Sequence, residues 1–517
     1  MKGSYRTIGV IAAATVLSSL GYASTAAAHH QAPSDPPSQY QPNGCGQVAT
    51  ANLTLTHDVG PCPNNGIVVK GDNVTIDLNG HTVYGLTRNT DANEPDANEP
   101  CLTDPEAGPH NATLGAGVLN DGGYDNLTVK GRTVRGTGAR GTIRCFSGGV
   151  EIRAFTDPVE VTVSVPNLNT VTDLNVKNNI GNVLSDWGEG IGAWGATNTT
   201  VTAATVDKNG PFAGIGLYDG STDSIIGGAA ADGNSVTGNN FPVQGGTTNQ
   251  DDGIRVEPNS KRNIVTHNTV TGSGLDGIAL FTGATDNQVN SNIVQGNGYH
   301  AATHRKGDGI RLFPGANANT LKSNTVGGST ATTPSEGNAA NGIYVASDNN
   351  NIGVDGSGVL GGNTVAGNAY TVDATRGPLG GGIFLEGYLQ RTTVVSADGN
   401  KVKANTVTNN SAHGIHVGGD NNEVGGSTTA QGNTATANAF SGILADAYTG
   451  AKAENNKIDG NSATGNNTSV GGWSDLHDLR ADLDCGNVEG LPNLWGSLAL
   501  NTYGTRNRVP PSNWCIQ

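Results

Sequence analysis

Gly-Ile, followed by one variable residue and then an apolar or small one, recurs nine times in this chain: "GIGA" at 190, "GIGL" at 214, "GIRV" at 253, "GIAL" at 277, "GIRL" at 309, "GIYV" at 342, "GIFL" at 382, "GIHV" at 414 and "GILA" at 442. Successive pairs lie 24, 39, 24, 32, 33, 40, 32 and 28 residues apart. A short unit with insertions of variable length is how a solenoid reads in sequence, each turn of chain stacking on the last. A second element sits between the Gly-Ile strands: "NIVTHNTVTG", "NQVNSNIVQG", "NTLKSNTVGG" and "NKVKANTVTN". It reads as two short strands, apolar at alternate positions, separated by Asn-bearing turns.

Several short strands per unit, 78 glycines and no Leu-rich helical periodicity predict an all-β chain, a right-handed parallel β-helix of about a dozen turns filled with Ile, Val and Leu. A leucine-rich horseshoe needs its own Leu pattern, and a propeller needs four antiparallel strands per blade. The recurring asparagines are expected to stack into a ladder of side-chain amides along the axis.

Residues 1–28 carry Lys2 and Arg6, the apolar run "IGVIAAATVLSSL" and the small-residue stretch "STAAA". That is the pattern of a secretory signal, too short in its apolar part to span a bilayer, so a secreted, extracellular protein is expected. Lys and Arg total 28 against 44 Asp and Glu, and 28 − 2 = 26 remain against 44 once the segment is removed. An acidic balance of this size argues against nucleic acid and against an anionic membrane surface, both of which select basic patches.

Six cysteines in a secreted chain suggest three disulfides. Proximity in sequence favours Cys45 with Cys62, Cys101 with Cys145, and Cys485 with Cys515. The ends would be stapled, while the stretch from 146 to 484 contains no cysteine. The expected layout is a signal peptide at 1–28, a linker at 29–44, the β-helix at 45–472 with an acidic insertion around 88–111 containing "DANEPDANEP", and a C-terminal cap at 473–517.

These repeats, together with "VVKGDNVTIDLNGHTVYG" at 68–85, resemble the secreted bacterial right-handed parallel β-helix proteins of the pectin-lyase-like superfamily. The resemblance covers about residues 45 to 517 and implies the fold. It implies a range of activities, because that superfamily holds polysaccharide lyases, glycoside hydrolases, uronate epimerases, esterases and proteins without known activity. The polygalacturonases among them carry Asn-Thr-Asp, a paired Asp, His-Gly and Arg-Ile-Lys on nearby turns. Here the pair Asp251-Asp252 and the pair His413-Gly414 lie five repeats apart, and the other two motifs are missing in register.

In "DGIRVEP" the Ile and Val should point into the solenoid, which turns Arg255 and Glu257 outward. Carried through the repeats, the Gly-Ile-x column contains Arg255, Arg311, Tyr344 and His416, and the column two residues later contains Trp194, Tyr218, Glu257, Phe281 and Phe313. Asp252, Asp276 and Asp308 stand just before Gly on consecutive turns. Rings stack on the C–H faces of sugars, and guanidinium groups grip acidic or hydroxyl groups, so Trp194, Tyr218, Glu257, Phe281, Phe313, Tyr344 and His416 are the expected substrate-binding residues; the competing reading is that long insertions, such as 218–252 or 281–308, fold over these rings and bury them. Stacked carboxylates raise one another's pKa or recruit a cation. Asp252, Asp276, Asp308, Arg255 and Arg311 are therefore the expected catalytic residues, with calcium on the three aspartates. Ordinary turn chemistry is the competing reading of Asp before Gly. His300 and His304 in "YHAATHRKGD" form a second, weaker metal candidate.

The expected function is a secreted enzyme, a lyase or glycoside hydrolase working in a surface groove on extracellular polysaccharide. The alternative is a non-catalytic carbohydrate-binding or cell-surface solenoid.

Overall fold

The computed structural model describes residues 44–466 except 89–97, 105–109, 158–161, 182–187, 240–250, 299–306, 329–335, 369–380, 391–392 and 446–452, together with two-residue strands at 483–484, 494–495, 502–503 and 506–507. The expected linker up to 43, most of the acidic insertion, His300, His304 and the Cys485–Cys515 pairing lie outside the described residues.

One turn of chain shows how the sequence makes the fold. Asp252–Val256 lies in the first sheet, Ile264–Thr266 in the second and Thr269–Thr271 in the third, after which Ile278–Leu280 returns to the first sheet beside Asp252–Val256. Repetition builds three parallel sheets of 15, 14 and 14 strands running the length of the molecule. The short strands Leu483–Asp484, Leu494–Trp495, Thr502–Tyr503 and Arg506–Asn507 continue the same three sheets past residue 472. Among the described residues the helical content is a single 3₁₀ turn, Ala230–Asp232, and no helix is long and apolar enough to cross a membrane.

The bend between the second and third sheets needs only two residues. In the turn above, these are His267, at φ 55°, and Asn268, which is buried. Left-handed backbone costs a non-glycine residue about 1–2 kcal/mol, and the asparagine that follows each such bend offsets it with bonds along the axis. Asn268 Nδ2 donates to Asn292 Oδ1 at 3.0 Å, Asn292 to Asn324 at 3.1 Å and Asn324 to Asn363 at 2.9 Å. Two more amide ladders run at the other corners, through Asn263, Asn287 and Asn319 and through Asn297, Asn338 and Asn368. Inside the three sheets stands one continuous column of buried Ile, Val, Leu and Ala.

At the N-terminal end, Cys45–Cys62 and Cys101–Cys145 are joined with Cα separations of 5.4 and 5.2 Å. Each closes a local loop, as their spacing suggested.

Candidate functional site

Strand register lays the Gly-Ile-x residues in one row. Gly216 pairs with Arg255, Arg255 with Ala279, Ala279 with Arg311, Arg311 with Tyr344, Tyr344 with Phe384 and Phe384 with His416. The row therefore faces outward on the first sheet, and Arg153, Trp194 and Tyr218 pair in turn in the row beside it.

The aspartates before Gly form a ladder of their own. The backbone N–H of Asp276 donates to Asp252 Oδ1 at 3.1 Å, that of Asp308 to Asp276 Oδ1 at 2.7 Å, and that of Asn341 to Asp308 Oδ1 at 2.8 Å. Asn341 then accepts the N–H of Gly381 at 2.8 Å. One oxygen of each aspartate thus does what an asparagine does in the amide ladders. The second oxygens face guanidinium groups: Asp252 Oδ2 is 3.7 Å from Arg255 Nη1, and Arg311 Nη1 is 3.9 Å from Asp276 Oδ2 and 3.8 Å from Asp308 Oδ2.

This donor set does not suit the expected calcium ion. Calcium takes six to eight oxygens, whereas here Oδ1 of each aspartate is committed to a backbone N–H and Oδ2 is shared with an arginine. Among the described residues no group of three or more His, Cys, Asp or Glu is placed to hold a metal.

Burial shifts these carboxyls strongly. Asp252 is pushed well above the usual range first by burial and then by Asp276, and Asp251 by burial and then by Asp252. Asp276 is raised by burial against the pull of Arg311. Asp308 is raised to about 7, by burial and by Asp276, with Arg311 holding it down. Glu386, two turns further along and nine-tenths buried, is raised to about 8 by burial, with Arg311 opposing and Asp308 adding to the rise.

An acid held protonated in the folded chain stabilises it fully below the unfolded-state pKa, and that contribution is lost as pH climbs through the folded-state value. The melting temperature is accordingly expected to fall between about pH 4.5 and pH 8. Glu386→Gln has no proton to lose and should flatten the upper part of that slope. Parallel melting curves for the two proteins across this range would contradict the assignment.

The rings pair off along the face. Trp194 stacks on Tyr218 at 4.1 Å and Phe281 on Phe313 at 4.3 Å, while Phe384 stacks on His416 at 4.7 Å and meets Tyr344 edge-on at 5.6 Å. Guanidinium groups lie over them: Arg255 is 4.0 Å from the Phe281 centroid, and Arg311 is 4.3 Å from Phe313 and 4.8 Å from Tyr344.

Pointing outward is not the same as reaching solvent, and of the two expectations, an open stripe or covered rings, the structure lies nearer the second. Tyr218, His416, Arg255 and all three aspartates are buried. Trp194, Glu257, Phe281, Phe313 and Tyr344 are half-buried, and the Arg311 side chain is 27% exposed. Neighbouring long side chains cover one another, as Arg255 shows by lying against Phe281 and pairing with Glu257. His413 and Asp252 sit five strands apart in the first sheet, so the structure does not bring them together.

Two charged groups on this face, one acidic and one basic, escape a reading based on Gly-Ile. Glu151 and Arg153 lie on Gly148–Arg153, "GGVEIR", where valine replaces the isoleucine of the repeat, and Glu151 pairs in register with Gly192. Extending the period upstream with Val allowed for Ile would have found them. Glu189 and Glu386 stand in the predicted columns, but nothing in the sequence says that they are buried.

The strand order and the match of residues 189–359 to the family described as right handed beta helix region together define the chain as a right-handed parallel β-helix protein. No curated protein matches it. Solved structures similar to it include a double mutant of the periplasmic alginate epimerase AlgG, at 16% identity and TM-score 0.44 over 71% of this chain and 74% of that one. Others are the A-module of the mannuronan C-5 epimerase AlgE4 of Azotobacter vinelandii, at 13% identity and TM-score 0.38 over 73% and 85%, and the Dettilon tailspike protein, at 14% identity and TM-score 0.33 over 88% and 60%.

Proposed function

We propose that the protein is secreted by way of residues 1–28 and acts on extracellular polysaccharide, as a glycoside hydrolase or lyase, along the outer face of the first sheet. The observation that carries this reading is Arg311. Its guanidinium lies over the Phe313 and Tyr344 rings, its Nε has no acceptor, and it is the most open charged group of the set. A cation laid on rings beside a stacked Phe281–Phe313 pair offers a sugar both a flat apolar floor and donors for its oxygens. Asp308 is the carboxyl beside it. With its pKa raised to about 7, it can give or take a proton near neutral pH.

In a lyase, Arg311 would hold the acidic group next to the proton that is removed. In a hydrolase, Asp308 would protonate the departing glycosidic oxygen. Arg255, Asp252 and Asp276 support this centre, and Asp308, buried as they are, meets the surface through the partly open Arg311 beside it.

Incubating the protein with a panel of polysaccharides and reading both reducing ends and absorbance of unsaturated products tests the proposal. New reducing ends without absorbance mark a hydrolase, and absorbance marks a lyase. Because the aspartate ladder is bound to backbone and arginine, activity should survive a metal chelator. Loss of activity that added calcium restores would reinstate the ion.

A non-catalytic carbohydrate-binding solenoid is the second reading. It is favoured by the backbone bond that each aspartate accepts, a purely structural task. Binding to the panel without any product would decide for it.

A further inference from the structure

Four carboxyls stand close enough to the Arg311 guanidinium for their charge to raise its pKa: Asp276, Asp308, Glu386 and Asp252. The three aspartates belong to the ladder, and each gives one oxygen to a backbone N–H. Glu386 does not belong to it. Among the described residues its carboxyl accepts no hydrogen bond. It is also the most open of the four, 9% exposed against 0% for Asp252 and Asp276 and 3% for Asp308. A carboxyl nine-tenths buried with both oxygens uncommitted is costly to keep, and the ladder does not need it.

Backbone register brings Glu386 to this place. Arg311 lies on Ile310–Leu312, the next strand of the first sheet is Ile343–Val345, and the one after it is Gly381–Leu385. The Ala346 N–H donates to Leu312 O at 2.9 Å and the Glu386 N–H to Val345 O at 2.8 Å, so Phe313, Ala346 and Glu386 continue one row. Earlier members of that row are the long side chains Trp194, Tyr218, Glu257 and Phe281. At Ala346 the row drops to a methyl, and nothing longer stands in it between Phe313 and Glu386.

The guanidinium of Arg311 lies 4.8 Å from the Tyr344 ring, over the strand that separates Asp308 from Glu386. Asp308 therefore flanks it from one turn, at 3.8 Å, and Glu386 from the turn on the other side. Two strand spacings, about 9.6 Å along the axis, separate their turns. Glu386 is held firmly where it stands. Its carbonyl accepts the Ala397 N–H at 2.8 Å, and between those two residues the chain pairs Gly387–Gln390 with Thr393–Ser396 in an antiparallel hairpin.

We infer that Glu386 is a second catalytic carboxyl of this centre, working across the Arg311 guanidinium from Asp308. The inference rests on the reading of this face as a glycan-degrading site and deepens it, because it favours hydrolysis over elimination. Hydrolysis needs one group to protonate the departing oxygen and another to take a proton from water. Asp308 fills the first place and Glu386 the second. The water oxygen bonds to the anomeric carbon as the glycosidic C–O bond breaks, the water proton passes to Glu386, and the Asp308 proton passes to the departing oxygen. One water is consumed and one reducing end is freed. Carboxyls on turns two apart suit a water held between them better than direct attack by a carboxylate, which needs a closer pair.

The test uses the polysaccharide of the panel from which the wild type releases reducing ends. Turnover should rise with pH as Glu386 loses its proton and fall as Asp308 loses its own, a bell centred between about 7 and about 8. Glu386→Gln should lower turnover by about two orders of magnitude or more and lose the rising limb, because no base remains to ionise. In Glu386→Ala, which opens space beside Arg311 and serves also if Glu386→Gln does not fold, sodium azide should restore turnover and appear in the product as a glycosyl azide. A residue that only supports the fold would give no such rescue. Wild-type turnover in Glu386→Gln, or a lowered turnover that keeps both limbs and ignores azide, overturns the assignment and leaves Asp308 and Arg311 in place. Unsaturated product from the wild type overturns it as well, since elimination consumes no water, and again leaves Arg311 in place. A wild type that leaves every polysaccharide of the panel intact overturns this inference together with the proposed enzyme.

Discussion

Asp308→Asn is expected to lower turnover on the true polysaccharide by about two orders of magnitude, the usual contribution of a positioned acid or base, while leaving the fold almost unchanged. The separation arises because the next turn already carries an asparagine at this position, Asn341, which accepts the N–H of Gly381 just as Asp308 accepts that of Asn341. An amide at 308 keeps the ladder intact and loses only the proton and the charge facing Arg311 at 3.8 Å. Arg311→Ala should instead raise the substrate concentration needed, because it removes the group that grips the sugar, unless Arg311 is itself the base of a lyase, in which case turnover collapses. Wild-type turnover in Asp308→Asn, measured with melting temperature on the same preparation, would remove Asp308 from the chemistry. A large fall in melting temperature with turnover preserved would show that the aspartate is a ladder member and nothing more.

Asn324→Leu should destabilise the chain by about 3–5 kcal/mol, among the largest effects a single substitution produces. Asn324 Oδ1 accepts both the backbone N–H and the side-chain amide of Asn292, at 3.0 and 3.1 Å, and its Nδ2 donates to Val289 O at 2.7 Å and to Asn363 Oδ1 at 2.9 Å. Leucine has nearly the same shape and removes all four bonds, which leaves the buried Asn292 N–H and side-chain amide without the oxygen they donate to. Because each turn of a solenoid contacts only its neighbours, the loss should appear as a weak point, with amide hydrogen exchange accelerated on the turns around residues 288–294 and 320–326. Gln288→Ala, exposed on a neighbouring turn, should stay within about 0.5 kcal/mol and serves as the control. A urea midpoint for Asn324→Leu equal to that of the control would mean that the ladder contributes nothing to stability.

How much of this was legible beforehand depends on the kind of interaction. The register of Arg255, Ala279, Arg311 and Tyr344 could be read from spacing alone, because side chains alternate strictly along a strand and successive turns stack at a constant distance. The ladders follow from the same periodicity, since an asparagine recurring at one corner of each turn has only its equivalents above and below to bond with. Calcium on the aspartates did not fit, because sequence shows charges in a column but not which oxygen of each is already taken. Glu151 was passed over because Val150 stands where the repeat has isoleucine, a change that the interior of the solenoid does not distinguish.

The chain's own order of residues therefore determined the solenoid, its three sheets, the inward Ile and Val and the rows in which charged and aromatic side chains line up. All of these are consequences of period. Tertiary structure alone decided which members of a row reach water: Arg311 remains partly open while Arg255, in the same row two turns away, is closed beneath Phe281 and Glu257. Burial is the sum of what many neighbours cover, and those neighbours come from turns and insertions far apart in sequence. The same sum sets the chemistry, because it is desolvation that lifts Asp308 to about 7 and Glu386 to about 8, and desolvation has no period to read.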